Sequence, residues 1–157
     1  MARALSRQTS EAVVEVKGRY PTGLAALVPS LHLVQAQLGY VSPDAELDVA
    51  ELLDVPPTRV HEAVTFYSMF HQQPVGRHVV KICRNLACEL RGGKRLLERA
   101  EKTLGIKVGE TSADGRVTLE HKECLASCGT GPALWCDDQL VENLDLDKLD
   151  AFLNSLH

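Results

Sequence analysis

The apolar positions change rhythm once along the chain. Up to about residue 75 they recur at helical spacing. Beyond it they fall into short strands that alternate with helices. Residues 8–18 predict a first helix. In the uncharged run from Tyr20 to Pro43, Leu24, Leu27, Val28, Leu31, Val34 and Leu38 share one face, and Pro29 is expected to kink the early turns. Ser30, His32, Gln35 and Gln37 in that run argue for a helix packed on a core rather than one immersed in lipid. Ser42 and Pro43 supply an N-cap and a first helical residue, followed by an apolar face of Leu47, Ala50 and Leu52 or Leu53. "PPTRVHEAVTFYSMF" restarts a helix in which Val60, Val64, Tyr67 and Phe66 or Phe70 are expected to pack together.

"HQQPVGRH" reads as a loop and a boundary, dividing a helical region over 1–75 from a second domain over 76–157. In the second part "HVVKIC" is a strand and "LRGGKRLLERAEKTLG" a helix ending near Gly105. "RVTLEHKEC" is a second strand after the turn residues Asp114 and Gly115. "PALWC" and "QLVEN" form a hairpin across two aspartates, and "LDLDKLDAFLNSL" closes with Leu149, Phe152, Leu153 and Leu156 on one side. The order β-α-β-β-α is that of a small thioredoxin-like layer fold. The fold class expected is therefore α+β: an N-terminal helical bundle followed by a thioredoxin-like α/β domain. There is no internal repeat and no low-complexity segment.

Composition adds limits rather than an answer. The chain has 157 residues, 45% of them hydrophobic and 4% aromatic, so the core must be built mostly of Leu, Val and Ala. A net charge of −4 argues against nucleic acid as the main partner. The charge is uneven: residues 81–107 are rich in Lys and Arg, and 137–150 are acidic. The N-terminus has no apolar signal segment, so five cysteines in a reducing compartment suggest metal or redox chemistry rather than disulfides.

Four of the five cysteines form two pairs. Cys83 and Cys88 are spaced C-x4-C, and Cys124 and Cys128 are spaced C-x3-C. Each pair is expected to begin where a strand ends, and in a β-α-β unit neighbouring strand ends lie side by side. A structural zinc prefers the tighter C-x2-C knuckle. A 2Fe-2S cluster takes two thiolates on each iron and suits wider loops. Zinc and unligated thiols remain open on spacing alone. A cluster carries roughly −2 when oxidised, and Arg84, Arg91, Lys94 and Arg95 are placed to balance it. Gly92, Gly93, Gly129 and Gly131 would let backbone N–H groups approach the sulfurs. Cys136, beside Trp135, reads as a small buried residue, and His121 as a surface or core residue rather than a ligand.

"CRNLAC…ECLASCGTGP", preceded by "LHLVQAQLGYVS" and "VHEAVTFYSMF", resembles the 2Fe-2S E-subunit family of bacterial NADH:quinone oxidoreductase, in the peripheral arm of complex I. The family is shared with the gamma subunit of NAD-dependent formate dehydrogenases and with subunits of NAD(P)-reducing hydrogenases. The resemblance covers Gly23 to the C-terminus. It implies one 2Fe-2S cluster held by Cys83, Cys88, Cys124 and Cys128. It also implies FMN and NAD on a flavin-binding partner subunit, a further iron–sulfur partner, and a cytoplasmic location at the inner membrane through the complex, without direct membrane insertion. "CLASCGTGP" departs mildly from the family's usual "CLGAC" loop, and Trp135 stands where a polar residue is expected.

The chain carries no G-x-G-x-x-G after a strand and no Walker loop, so NADH and flavin are expected elsewhere. The expected role is one-electron transfer, with no acid–base or nucleophilic catalysis by this chain. Three rival classes are carried. "DVAELLDVPPTRVHEAVTFY" scans as a helix-turn-helix, but its second helix offers Arg59 as the one firm cation. A zinc-stabilised interaction module is the second. A thioredoxin-like oxidoreductase is the third, and it lacks C-x-x-C.

Overall fold

A computed structural model describes residues 4–157, and the chain divides into two compact units, Met1–Pro74 and Val75–His157.

The first unit holds α1 (Arg7–Gly18), α2 (Leu27–Leu38), α3 (Pro43–Leu53) and α4 (Pro57–Phe66). The caps follow from side-chain chemistry. The Ser6 hydroxyl accepts the Thr9 N–H at the start of α1, and the Ser42 hydroxyl accepts the Ala45 N–H at the start of α3, which Pro43 opens. Val13, Leu31, Val34, Ala45, Val49, Leu53 and Val60 meet in one buried core. Burying such side chains removes apolar area from water at about 25 cal/mol per Å2, which is what holds short helices together.

Several expectations for this unit need correction. Pro29 does not interrupt a helix. It lies in the first turn of α2, where an N–H has no intrahelical acceptor, and the helix runs unbroken to Leu38. Leu24 lies before α2 and is exposed. Leu47 is exposed too, because the buried face of α3 runs through Ala45, Val49 and Leu53. The aromatic group packs only in part. The backbone leaves the helix at Tyr67 (φ −86°, ψ 106°), so Phe66 is 77% exposed while Phe70 is buried. Tyr67 sits edge-on to both, with ring centroids 5.0 Å from Phe66 and 6.5 Å from Phe70.

The second unit holds β1 (His78–Cys83), α5 (Leu86–Leu90), α6 (Gly93–Leu104), β2 (Val117–Lys122), β3 (Leu134–Cys136), β4 (Gln139–Val141) and α7 (Leu146–Ser155). The four strands form one sheet in the order β2-β1-β3-β4. β1 and β2 are parallel, with Cys83 opposite Lys122. β3 runs antiparallel to β1, and the β3–β4 hairpin turns at Asp137, which has φ 51°. Val80, Ile82, Leu96, Leu119, Leu134, Leu149 and Leu153 form its core, between sheet and helices. Arg99 on α6 clasps Asp150 on α7. The α+β class is present, and the second unit runs β-α-α-β-β-β-α, with one helix and one strand more than the β-α-β-β-α order expected. The helix expected from Leu90 starts at Gly93, after Gly92 whose φ of 97° an L side chain rarely adopts, and a short helix outside the expected order, α5, precedes it. Among the described residues no helix is long and apolar enough to cross a membrane.

Candidate metal centre

The carboxyl ends of parallel strands β1 and β2 place the two cysteine pairs. Cys83 is the last residue of β1, and Cys124 follows β2 by two residues. The strand end is pinned on both sides: the Cys83 N–H donates to the Ala133 carbonyl (3.1 Å) and the Arg84 N–H to the Lys122 carbonyl (2.9 Å). Cys88 does not lie in a loop, as the strand-end reading expected. It sits on α5, whose N-cap Asn85 accepts the Leu86 N–H. The short helix folds Cys88 back beside Cys83, near enough for each thiol to feel the other. Cys83 and Cys88 are buried, whereas Cys124 and Cys128 are exposed.

The second pair lies on the segment joining β2 to β3. The Ala126 N–H donates to the Cys124 sulfur at 3.3 Å, from a backbone with φ 59°. The segment is anchored on the chain after β4: Asn143 N–H donates to the Thr130 carbonyl (2.6 Å) and Leu144 N–H to the Pro132 carbonyl (3.1 Å). Two arginines tie the halves together. Arg84 pairs with Glu123, joining the residue after Cys83 to the residue before Cys124. Arg91 donates to the Gly129 carbonyl at 3.3 Å. Arg84 is therefore not a free counter-charge, because Glu123 neutralises it and is itself held below the usual carboxylate range by that hydrogen bond.

Two of the four glycines are required by close approach. A Cβ on Gly131 would lie 2.8 Å from the Cys88 sulfur. One on Gly93 would lie 2.9 Å from the Cys88 carbonyl oxygen. A Cβ on Gly129 or on Gly92 would meet nothing within 4 Å, so no close approach requires glycine at either position. Burial, then the neighbouring Cys83, pushes the Cys88 thiol up to about 11, with Cys128 adding to the shift. Without a cation Cys88 keeps its proton, and an ion with Lewis acidity would displace it. Among the described residues no three of these four sulfurs lie within 4.8 Å of one another.

Cys136 is buried on β3, as expected of a small core residue, and His121 lies half-buried on β2. Sequence reasoning passed over the Arg84–Glu123 clasp. Its signal was legible: a basic residue directly follows the first cysteine and an acidic one directly precedes the third. Arg59, the one firm cation of α4, is engaged with Glu62 at 2.8 Å.

The comparisons with known proteins agree with this geometry. The family model described as thioredoxin-like 2Fe-2S ferredoxin matches residues 13–157. In Rhizobium meliloti, the NADH-quinone oxidoreductase E subunit numbered 2 is 39% identical over 145 residues, covering 92% of this chain and 86% of that protein. The NADH-quinone oxidoreductase E subunit of Salmonella typhimurium is 36% identical over 149 residues, covering 95% and 90%. Among solved structures, an NAD+-reducing NiFe-hydrogenase in the H2-reduced state superposes with a TM-score of 0.73 at 21% identity, over 83% of this chain. This chain spans only 22% of that hydrogenase chain, and at this identity the likeness concerns the fold.

Proposed function

We propose a function from one premise: the chain belongs to the thioredoxin-like 2Fe-2S ferredoxin family. It is the electron-transfer subunit of an NADH:quinone oxidoreductase, the enzyme named for its relatives. Cys83, Cys88, Cys124 and Cys128 are the residues that would hold the cluster. The observation that carries this is the gathering of both pairs at adjacent parallel strand ends, with Gly131 leaving room against the Cys88 sulfur. The residues fit the group. A single tetrahedral zinc needs its sulfurs about 3.8 Å apart. No three of the four sulfurs lie within 4.8 Å of one another among the described residues, so we read the site as holding two irons, with one pair on each, rather than a single zinc.

When bound, such a cluster supplies a centre that takes and gives electrons one at a time, as a hydride-accepting flavin on a partner subunit requires. The chain's own part is structural and electrostatic. β1 and α5 hold Cys83 and Cys88 away from water. The Ala126 N–H offers a hydrogen bond to the Cys124 sulfur, the kind of donor that raises a cluster's potential. The exposed side, with Cys124 and Cys128, faces outward and is the side on which we place the flavin- and NAD-binding partner. A further iron–sulfur protein of the complex would receive the electron. Residues 1–75 and 76–157 are read as the helical and cluster-bearing domains. The complex would place the chain at the cytoplasmic face of the inner membrane.

Anaerobic purification tests the reading. Two irons and two acid-labile sulfides per chain are expected, with an electron paramagnetic resonance signal on reduction. Zinc without iron or sulfide, even after anaerobic reconstitution, would falsify it. A nickel- or molybdenum-bearing partner on co-purification would move the parent complex to a hydrogenase or formate dehydrogenase.

A further inference from the structure

We propose a second metal site, for a zinc-class divalent cation, formed by His78, Cys136 and Asp137 at the opposite end of β1 from the paired cysteines. It rests on no part of the cluster reading. His78 opens β1 and Cys83 closes it, so the two are about 16 Å apart at roughly 3.3 Å per residue. Cys136 on β3 is the register partner of Val80, so it shares a sheet face with Val80 and with His78 two residues away. Asp137 follows at the hairpin turn. One ligating atom from each of the three lies within 4.8 Å of the others.

The hydrogen bonds around His78 point to a cation. Its Nε2 lies 3.2 Å from the main-chain oxygen of His157 and its Nδ1 lies 2.8 Å from Asp137 Oδ2. Both oxygens only accept, and a neutral imidazole carries a single N–H, so one ring nitrogen faces an acceptor without a proton of its own. Two acceptors at that distance need a positive centre between them, either a second ring proton or a metal ion. The third neighbour decides. The Cys136 sulfur is buried and lies within 4.8 Å of the ligating atoms of both His78 and Asp137, and thiolate, imidazole and carboxylate together are a zinc-type donor set.

The outer shell is in place. A ligating histidine ordinarily donates its other ring N–H to an acceptor, and Nε2 has one in the main-chain oxygen of His157. Asp137 Oδ1 accepts the Val79 N–H at 3.2 Å, which orients Oδ2 toward His78. In a tetrahedral zinc site the N···O edge is about 3.4 Å. The His78–Asp137 edge therefore needs to open by only about half an ångström. The ion would take the place of the Cys136 thiol proton, released to solvent, and the half-exposed Asp137 leaves a fourth position open to water.

The test uses the full chain loaded with its iron, titrated with zinc alone against a chromophoric chelator. One zinc per chain is expected at sub-micromolar affinity, with iron content unchanged. Zinc-edge X-ray absorption should report one sulfur among nitrogen and oxygen neighbours. Cys136→Ser and His78→Gln should each weaken binding about 100-fold, and Cys136→Ser should remove the sulfur from the zinc shell. Asp137→Asn, at a surface turn, guards against loss through misfolding and should weaken binding about tenfold. Failure to compete with the chelator would leave only a proton between His78 and Asp137 and would overturn the proposal. So would zinc uptake insensitive to all three substitutions, or uptake only as iron leaves. Iron content reads the paired cysteines and the zinc edge reads this site, so either can fail alone.

Discussion

The two cysteine pairs, proposed to hold one cluster, are built differently. Cys83 and Cys88 sit on regular elements, a strand end and a capped helix, and are buried. Cys124 and Cys128 sit on an irregular segment and are exposed. The first half is shaped by the fold's own hydrogen bonds. The second is held by a few ties: Arg84 to Glu123, Arg91 to Gly129, and Asn143 to Thr130. The difference teaches that a site can pair one rigid, desolvated half with one half left open, and the open half is where a partner can approach.

Replacing ligands probes that contrast most strongly. Cys→Ser at 83, 88, 124 or 128 should each cut cluster iron tenfold or more, whereas Cys136→Ser should leave the cluster's visible spectrum intact. The pairs should separate in the apo chain. A buried serine hydroxyl without a partner costs about 1–3 kcal/mol. Cys83→Ser and Cys88→Ser should therefore lower Tm by several degrees, at about 2–4 °C per kcal/mol. Cys124→Ser and Cys128→Ser should barely move it. Equal Tm losses in all four would erase the distinction.

Next in size is Gly131→Ala. Its Cβ would lie 2.8 Å from the Cys88 sulfur, so either the sulfur or the loop must shift, at about 1–3 kcal/mol. Iron loading on titration should weaken roughly tenfold. Gly129→Ala, in open space, should sit within about 0.5 kcal/mol of the parent. Similar behaviour of the two would remove Gly131 from the site.

The smallest effect is chemical reactivity in the apo chain. Cys124 and Cys128 should alkylate before Cys83 and Cys88, read by mass spectrometry over time. Cys88 should react only as pH nears about 11. The sign for stability follows. Cys88 titrates near 11 in the folded chain against 9.0 ordinarily, so between those values the fold keeps a proton that the unfolded chain has lost. That contribution is full below pH 9 and fades as pH rises toward 11. Chemical denaturation of the apo chain across this window measures it.

Much of this was legible in the chain. Ser42 and Pro43 announced α3 because capping is local chemistry, and Asp114 and Gly115 marked a turn for the same reason. Spacing grouped the four cysteines, and they do gather at neighbouring strand ends. Where the reading failed, the missing term was a neighbour. Leu47 matched an apolar periodicity, yet only the packing of α3 decided that Ala45, Val49 and Leu53 turn inward. Phe66 matched too, until the chain left its helix at Tyr67. Gly131 and Gly129 look alike as letters, and only the nearness of the Cys88 sulfur tells them apart.

The sequence by itself determined the class of fold, the order of the strands and the grouping of the cysteines by spacing, because periodicity, caps and short spacings are properties of adjacent residues. The tertiary structure decided the rest: which pair is buried, which glycine is indispensable, what Arg84 is paired with, and that His78 meets Cys136 and Asp137. Each depends on residues about 40 to 60 positions apart brought within a few ångströms by β1 pairing with β2 and β3. No local rule contains such a distance.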